Sequence, residues 1–274
     1  MAHQDDTSIT ATERWQWRRG EKPEKKRDLL AVEEPLEIRV RGRSISVTMR
    51  TPGHDDELAA GFLLTEGLIH QPGNIVHIEP CARAGEGNIL NVFLAADVAV
   101  DMARLTRHVF ASSSCGVCGK ASIESVWANF PPLKNVGPTV AAETLLTFPD
   151  RLREAQKAFE QTGGLHAAAL FDASGEMVVL REDVGRHNAV DKVLGHALLT
   201  GLLPLEQHVM MVSGRSSFEI MQKALAAGVP IVAAVSAPSS LAVAFADESN
   251  MTLVGFLRGE GMNIYTHPAR IIFV

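Results

Sequence analysis

From residue 165 onward, short apolar runs alternate with longer amphipathic ones, and this alternation constrains the fold more than any other feature of the chain. Apolar stretches at 165–171 and 176–180 flank a turn at Asp172-Ala173-Ser174-Gly175. Helical patterns at 187–199, 216–227 and 239–248 then separate apolar strands at 209–212, 231–235 and 252–257. Strands that stay apolar on both faces and alternate with helices predict an α/β layer with mainly parallel central strands. An earlier helix is expected over 150–161, stopped by Gly163-Gly164.

The first half reads differently. Residues 36–40 and 44–49 alternate with period two around Arg41-Gly42-Arg43, which predicts a hairpin. Thr51-Pro52-Gly53-His54 then leads into Asp55, Asp56 and Glu57, acids suited to a helix start. That helix is expected to reach about Ile69, with Leu58 and Phe62 on one face. Residues 75–79 and 89–94 predict a second strand pair. The expected organisation is a smaller α+β domain over 29–130, a linker at Pro131-Pro132 to Gly137-Pro138, and a larger α/β domain over 139–274. Residues 1–28 stand apart. Arg14, Arg18, Arg19, Lys22, Lys25, Lys26 and Arg27 crowd there with Trp15 and Trp17 and almost no aliphatics, and they read as a flexible basic arm.

Composition excludes several classes. The 274 residues have a net charge of −6, 46% hydrophobic and 21% charged residues, which fits a globular chain and not a disordered one. Aromatics are 5%, with one Tyr, so no stacking platform for nucleic acid is expected. No apolar run approaches the ~18 residues of a membrane span, and the start MAHQDDTSIT lacks a signal-peptide pattern. Three cysteines, Cys81, Cys115 and Cys118, cannot all pair within one chain. A reducing cytoplasm is the expected location.

Three constellations could carry chemistry. In Cys115-Gly116-Val117-Cys118, set among Ser112, Ser113, Ser114, Gly119 and Lys120, small residues favour an exposed loop. A nearby cation or helix start would lower the thiol pKa, and two thiols at this spacing can carry and resolve a sulfane sulfur. Half of a zinc site is the competing reading, although no second Cys pair completes it. The second constellation is Arg181-Glu182-Asp183-Val184-Gly185-Arg186-His187-Asn188 with Asp191 and Lys192, at a strand-to-helix passage where ligands bind α/β sheets. A solvated helix cap would explain Asp183 alone. Nearby, Ser213-Gly214-Arg215-Ser216-Ser217 opens another helix and suits a phosphate. Arg186, His187, Ser213 and Arg215 are therefore candidate ligand contacts. The third is Phe256, Leu257, Arg258, Gly259, Glu260 and Gly261. It allows close backbone approach to a nucleotide and puts a carboxylate near a guanine edge; an ordinary hairpin turn is the alternative.

Thr162-Gly163-Gly164-Leu165-His166-Ala167, the stretch from Glu182 to Asn188, Ser213 to Phe218, and the Cys115-x-x-Cys118 loop together resemble the formate dehydrogenase accessory sulfurtransferase family, sulfur carriers for formate dehydrogenase. The likeness runs from about Leu36 to the end. It implies a cytidine deaminase-like fold for the larger domain and a homodimer. It also implies transfer of sulfur, as a cysteine persulfide, from a cysteine desulfurase to a molybdenum bis(molybdopterin guanine dinucleotide) cofactor destined for formate dehydrogenase. By this resemblance Cys115 carries the persulfide with Cys118 as partner, residues 256–261 contact the cofactor, and the cofactor is bound substrate, with no permanent cofactor or metal. A cofactor-binding chaperone without catalysis and a zinc-dependent deaminase are the alternatives. The deaminase would need a Glu two residues after His166, where Ala168 stands.

Overall fold

The computed structural model describes residues 8–81, 88–98, 129–134 and 137–273. Fourteen strands and six helices are present among them. The Cys115-x-x-Cys118 loop lies outside the described residues.

A six-stranded mixed sheet forms the centre. Its strands are β8 (His166–Asp172), β9 (Met177–Asp183), β10 (His208–Val212), β11 (Ile231–Ala234), β12 (Thr252–Arg258) and β13 (Gly261–Thr266), in the order β13-β12-β11-β10-β8-β9. The parallel pairs are β10 with β11 and β11 with β12. Antiparallel partners flank that parallel core on both sides. The expected parallel centre is therefore present and three strands wide.

Both faces of the sheet are covered, which is why its strands read as continuous apolar runs. Along β8 the side chains alternate. Ala168 and Leu170 enter one apolar cluster, and Ala167, Ala169 and Phe171 enter the other. The second cluster is closed by α2 (Ala142–Ala155) through Leu145, Phe148 and Leu152. There the Phe148 ring stacks on Phe171 with centroids 3.9 Å apart. The first cluster is closed by α4 (Arg186–Leu199), α5 (Phe218–Ala226) and α6 (Ser240–Glu248).

The smaller half is a four-stranded sheet, β4-β3-β6-β5, made of β3 (Glu34–Val40), β4 (Arg43–Arg50), β5 (Ile75–Pro80) and β6 (Ile89–Leu94). The expected hairpin and the expected second strand pair are both there, joined by parallel pairing of β3 with β6. Leu36, Ile38, Val40, Leu90 and Val92 from this sheet, and Leu58, Leu63 and Leu64 from α1 (Asp55–Thr65), share the first cluster with Val190 and Leu194 of α4. The two halves thus have a common core.

Three segments depart from the sequence reading. Helix α1 ends at Thr65 rather than near Ile69, because Gly67 takes φ 72° and Leu68 N–H bonds back to Leu63 O at 2.9 Å. The helix expected over 150–161 begins eight residues earlier, at Ala142, and is split at Gln156 from a short α3 (Lys157–Thr162); its stop at Gly163, φ 67°, is as expected. Residues 9–31, read as mostly flexible arm, form a hairpin of β1 (Ile9–Gln16) and β2 (Glu24–Ala31). Diagonal ion pairs, Arg14–Asp28 at 3.3 Å and Lys25–Glu13, brace it. No helix among the described residues is long and apolar enough to cross a membrane.

Candidate functional site

The carboxyl end of β9, the edge strand β4 and helices α1, α4 and α5 enclose a cavity of about 360 Å³. Its walls come from both halves of the chain. Thr48 and Met49 of β4 and Phe62 and Glu66 of α1 form one side. Arg186, His187 and Asn188 at the start of α4, with Glu219, Gln222 and Lys223 of α5, form the other.

Buried carboxylates fix this arrangement. Asp183 has a fully buried side chain and accepts from Lys192 Nζ (2.8 Å), Gly185 N (2.8 Å), Asn188 Nδ2 (3.0 Å) and Thr51 N (3.2 Å). Asn188 Nδ2 also donates to Met49 O at 2.8 Å. The charged motif at 181–188 therefore does structural work that exceeds a helix cap: it bolts β4 and the following turn to the start of α4. Glu182 faces elsewhere and accepts from the first free N–H groups of α3, Ala158 at 3.0 Å and Phe159 at 2.8 Å. On the cavity floor Lys223 Nζ donates to Asp191 Oδ2 (2.7 Å), Asp191 Oδ1 (2.8 Å) and Thr65 Oγ1 (2.9 Å). Burial pushes the Asp191 carboxyl pKa up, while Lys223 and Thr65 pull it back.

Beside the carboxylates of Glu33, Glu66 and Glu219, the cavity lining includes Arg186, His187 and His166. Burial, reinforced by Lys223 and Arg186, pushes the His187 pKa down to about 4. Burial followed by Arg186 lowers that of His166. Both imidazoles are therefore neutral near pH 7, able to donate and accept. Arg186 Nε is buried and has no hydrogen-bond partner among the described residues. An orphan donor of this kind costs about 1–3 kcal/mol, which a bound acceptor would recover.

His166 also lines a second cavity, about 530 Å³, together with Gly163, Gly164, Ser213 and Val235. A Cβ on Gly214 would sit 3.4 Å from His166 Nδ1 and 3.9 Å from Arg186 Cδ. The stretches around His166, Arg186 and Ser213, far apart in sequence, thus meet at one point.

The remaining candidates are placed elsewhere. Arg215 is exposed and lines neither cavity. Phe256 takes φ 53° and donates its N–H to Ser236 O at 3.1 Å, one residue beyond Val235 of the second cavity. Leu257 is buried in the second apolar cluster. Arg258, Gly259, Glu260 and Gly261 form an exposed turn in which Arg258 pairs with Gly261 and Gly259 has φ 56°. Cys115 and Cys118 fall outside the described residues. Sequence reasoning missed Glu219, Gln222 and Lys223 as cavity walls. They sit in an ordinary amphipathic helix, and only the packing of α5 against α1 and α4 brings them to the site.

Fold and site define an α/β protein with a cleft of mixed charge between its two sheets, at the carboxyl end of β9. The chain belongs to the FdhD/NarQ family, whose model matches residues 31–272. It is 57% identical over 251 residues to the sulfur carrier protein FdhD of Mycolicibacterium paratuberculosis, covering 89% of this chain and 92% of that one. Identity to the protein of that name from Saccharolobus solfataricus is 44% over 247 residues, covering 89% and 91%. A solved structure from Desulfotalea psychrophila, assigned as a formate dehydrogenase accessory protein, superposes with a TM-score of 0.79 at 27% identity, covering 97% of this chain and 100% of that one.

Proposed function

We propose that this chain is a sulfurtransferase that carries sulfur for formate dehydrogenase as a persulfide on Cys115. The carbon–sulfur chemistry stays with the cysteine desulfurase. Its persulfide offers a sulfane sulfur, which the Cys115 thiolate attacks; the S–S bond forms on Cys115 and the desulfurase thiolate leaves. Delivery needs two electrons. Attack of the Cys118 thiolate on the Cys115 sulfur forms the Cys115–Cys118 disulfide and releases hydrosulfide to the metal of a molybdenum bis(molybdopterin guanine dinucleotide) cofactor, the bound substrate. An external dithiol then reduces the disulfide. In this reading the protein works in the cytoplasm as a homodimer with a cytidine deaminase-like larger domain, and Arg186, His187, Ser213 and the 256–261 stretch, apart from the buried Leu257, contact the cofactor.

The observation that carries the reading is the 57% identity to a sulfur carrier protein across most of both chains, with the dithiol of Cys115 and Cys118 inside the matched region. The buried, unpartnered Arg186 Nε at the cavity wall supports a ligand that brings a hydrogen-bond acceptor. The deciding experiment is intact mass spectrometry after incubation with a cysteine desulfurase and cysteine. A gain of one sulfur that disappears in Cys115→Ala is expected. No gain in the wild-type chain would overturn the carrier role and leave a cofactor-binding chaperone.

A further inference from the structure

A two-stranded hairpin alone is marginal in water and persists when other structure covers it. The base of the β1–β2 hairpin has such cover, since β2 packs on α3 and Ala31 lies beside Gly164. The outer half does not have it among the described residues. Trp15 is 70% exposed and Trp17 63%. Exposed indoles at this density mark surfaces that bury against something.

Charge separates along the same boundary. Residues 8–31 hold seven Lys/Arg and four Asp/Glu, a net +3; the whole chain is −6 and residues 1–7 carry −2, so residues 32–274 carry −7. Arg14, Lys25 and Lys26 are engaged in ion pairs within the hairpin. Arg18, Arg19 and Lys22 stand exposed at its turn beside Trp17. The hairpin also precedes the family-matched residues 31–272, so the reading of that region does not account for it.

We propose that the hairpin is an exchange arm: in a two-fold dimer each copy lays its hairpin on the acidic body of the other. Trp15 and Trp17 are the anchors, and Arg18, Arg19 and Lys22 supply attraction. A second copy is the occupant because it offers a body of opposite sign to every arm, and two-fold symmetry satisfies both arms at once. This inference rests on the homodimer proposed above.

The test is sedimentation equilibrium of the full chain at low and high salt, on the wild type, Trp15→Ser/Trp17→Ser, and Arg18→Glu/Arg19→Glu/Lys22→Glu. All five positions are exposed, and circular dichroism checks that each variant is folded. The wild type is expected to dimerise, and both variants to raise the dissociation constant by about tenfold or more. High salt should weaken the wild-type dimer and shrink its advantage over the charge variant, because screening removes what that variant removed. Wild-type dimer affinity in both variants would overturn the arm and leave the homodimer standing. A monomeric wild type would overturn both. Sulfur loading at Cys115 is read separately by mass and is not decided by either result.

Discussion

Gly61 and Gly195 face each other where α1 crosses α4. A Cβ on Gly61 would lie 2.9 Å from Gly195 N, and one on Gly195 would lie 2.7 Å from Gly61 N. Neither glycine has a positive φ, so the need is for space and not for conformation. The two helices touch backbone to backbone, and this contact sets how close the smaller sheet comes to the larger one.

Gly61→Ala and Gly195→Ala should therefore each destabilise the protein by at least about 1–3 kcal/mol, the cost of overpacking. Urea unfolding measures it. Gly73→Ala, where a Cβ meets nothing within 4 Å, should change stability by less than about 0.5 kcal/mol. Equal effects at all three positions would contradict the close crossing.

The Lys223–Asp191 pair makes a second prediction. Lys223→Met leaves the Asp191 carboxylate buried without its cation, and a loss of about 3–5 kcal/mol is expected. Adding Asp191→Leu should recover most of it, since the uncompensated charge is then gone. A double variant no more stable than Lys223→Met alone would argue against an ion-pair origin.

His187 gives the pH dependence. Its folded pKa, about 4, lies below the ordinary 6.5 of an unfolded chain, so the unfolded state binds the proton more readily. The neutral imidazole's contribution is complete above pH 6.5 and is lost as pH falls from 6.5 towards 4. The share is on the order of 3 kcal/mol. His166 moves in the same direction. In His187→Gln the fall in stability across this window should be visibly shallower, as denaturant titrations at several pH values would reveal.

For ligand binding, Arg186→Ala should weaken guanosine diphosphate by roughly 1.5–3 kcal/mol, the range for a charge-assisted hydrogen bond. Arg186→Lys should not restore it fully, because lysine lacks the guanidinium fork. Arg215→Ala, outside both cavities, should cost less. Calorimetry decides the order, and sulfur loading at Cys115 should be unaffected in all three. A larger effect at Arg215 would move the phosphate site out to the helix start.

Cys115→Ala should abolish formate dehydrogenase activation in cells, and Cys81→Ala should leave it near normal. Normal activation with Cys115→Ala would remove the thiol from the transfer.

Most of the larger sheet was legible in the sequence because strands buried on both faces leave unbroken apolar runs, as in β8 and β10. The hairpin at 9–31 was not. Both of its faces are wet over most of its length, so period two leaves no apolar trace, and the cross-strand ion pairs Arg14–Asp28 and Lys25–Glu13 join residues more than ten positions apart. At the site, Arg186, His187 and Ser213 were readable from charge and small residues at strand-to-helix turns. Lys223 and Glu219 were not, since nothing local distinguishes a cavity-facing lysine from a solvated one. Asp183 looked like a ligand contact or a cap, and its four donors show instead a bolt between the two halves.

That bolt has an evolutionary reading. One wall of the 360 Å³ cavity is encoded before residue 67 and the other after residue 165, so neither segment owns the site. A chimera joining the first 130 residues of one relative to the remainder of another would inherit a pocket, and a shared core, that belongs to neither parent. Ligand preference in this fold should thus drift as a matched pair of walls, and recombination near residue 130 should scramble it.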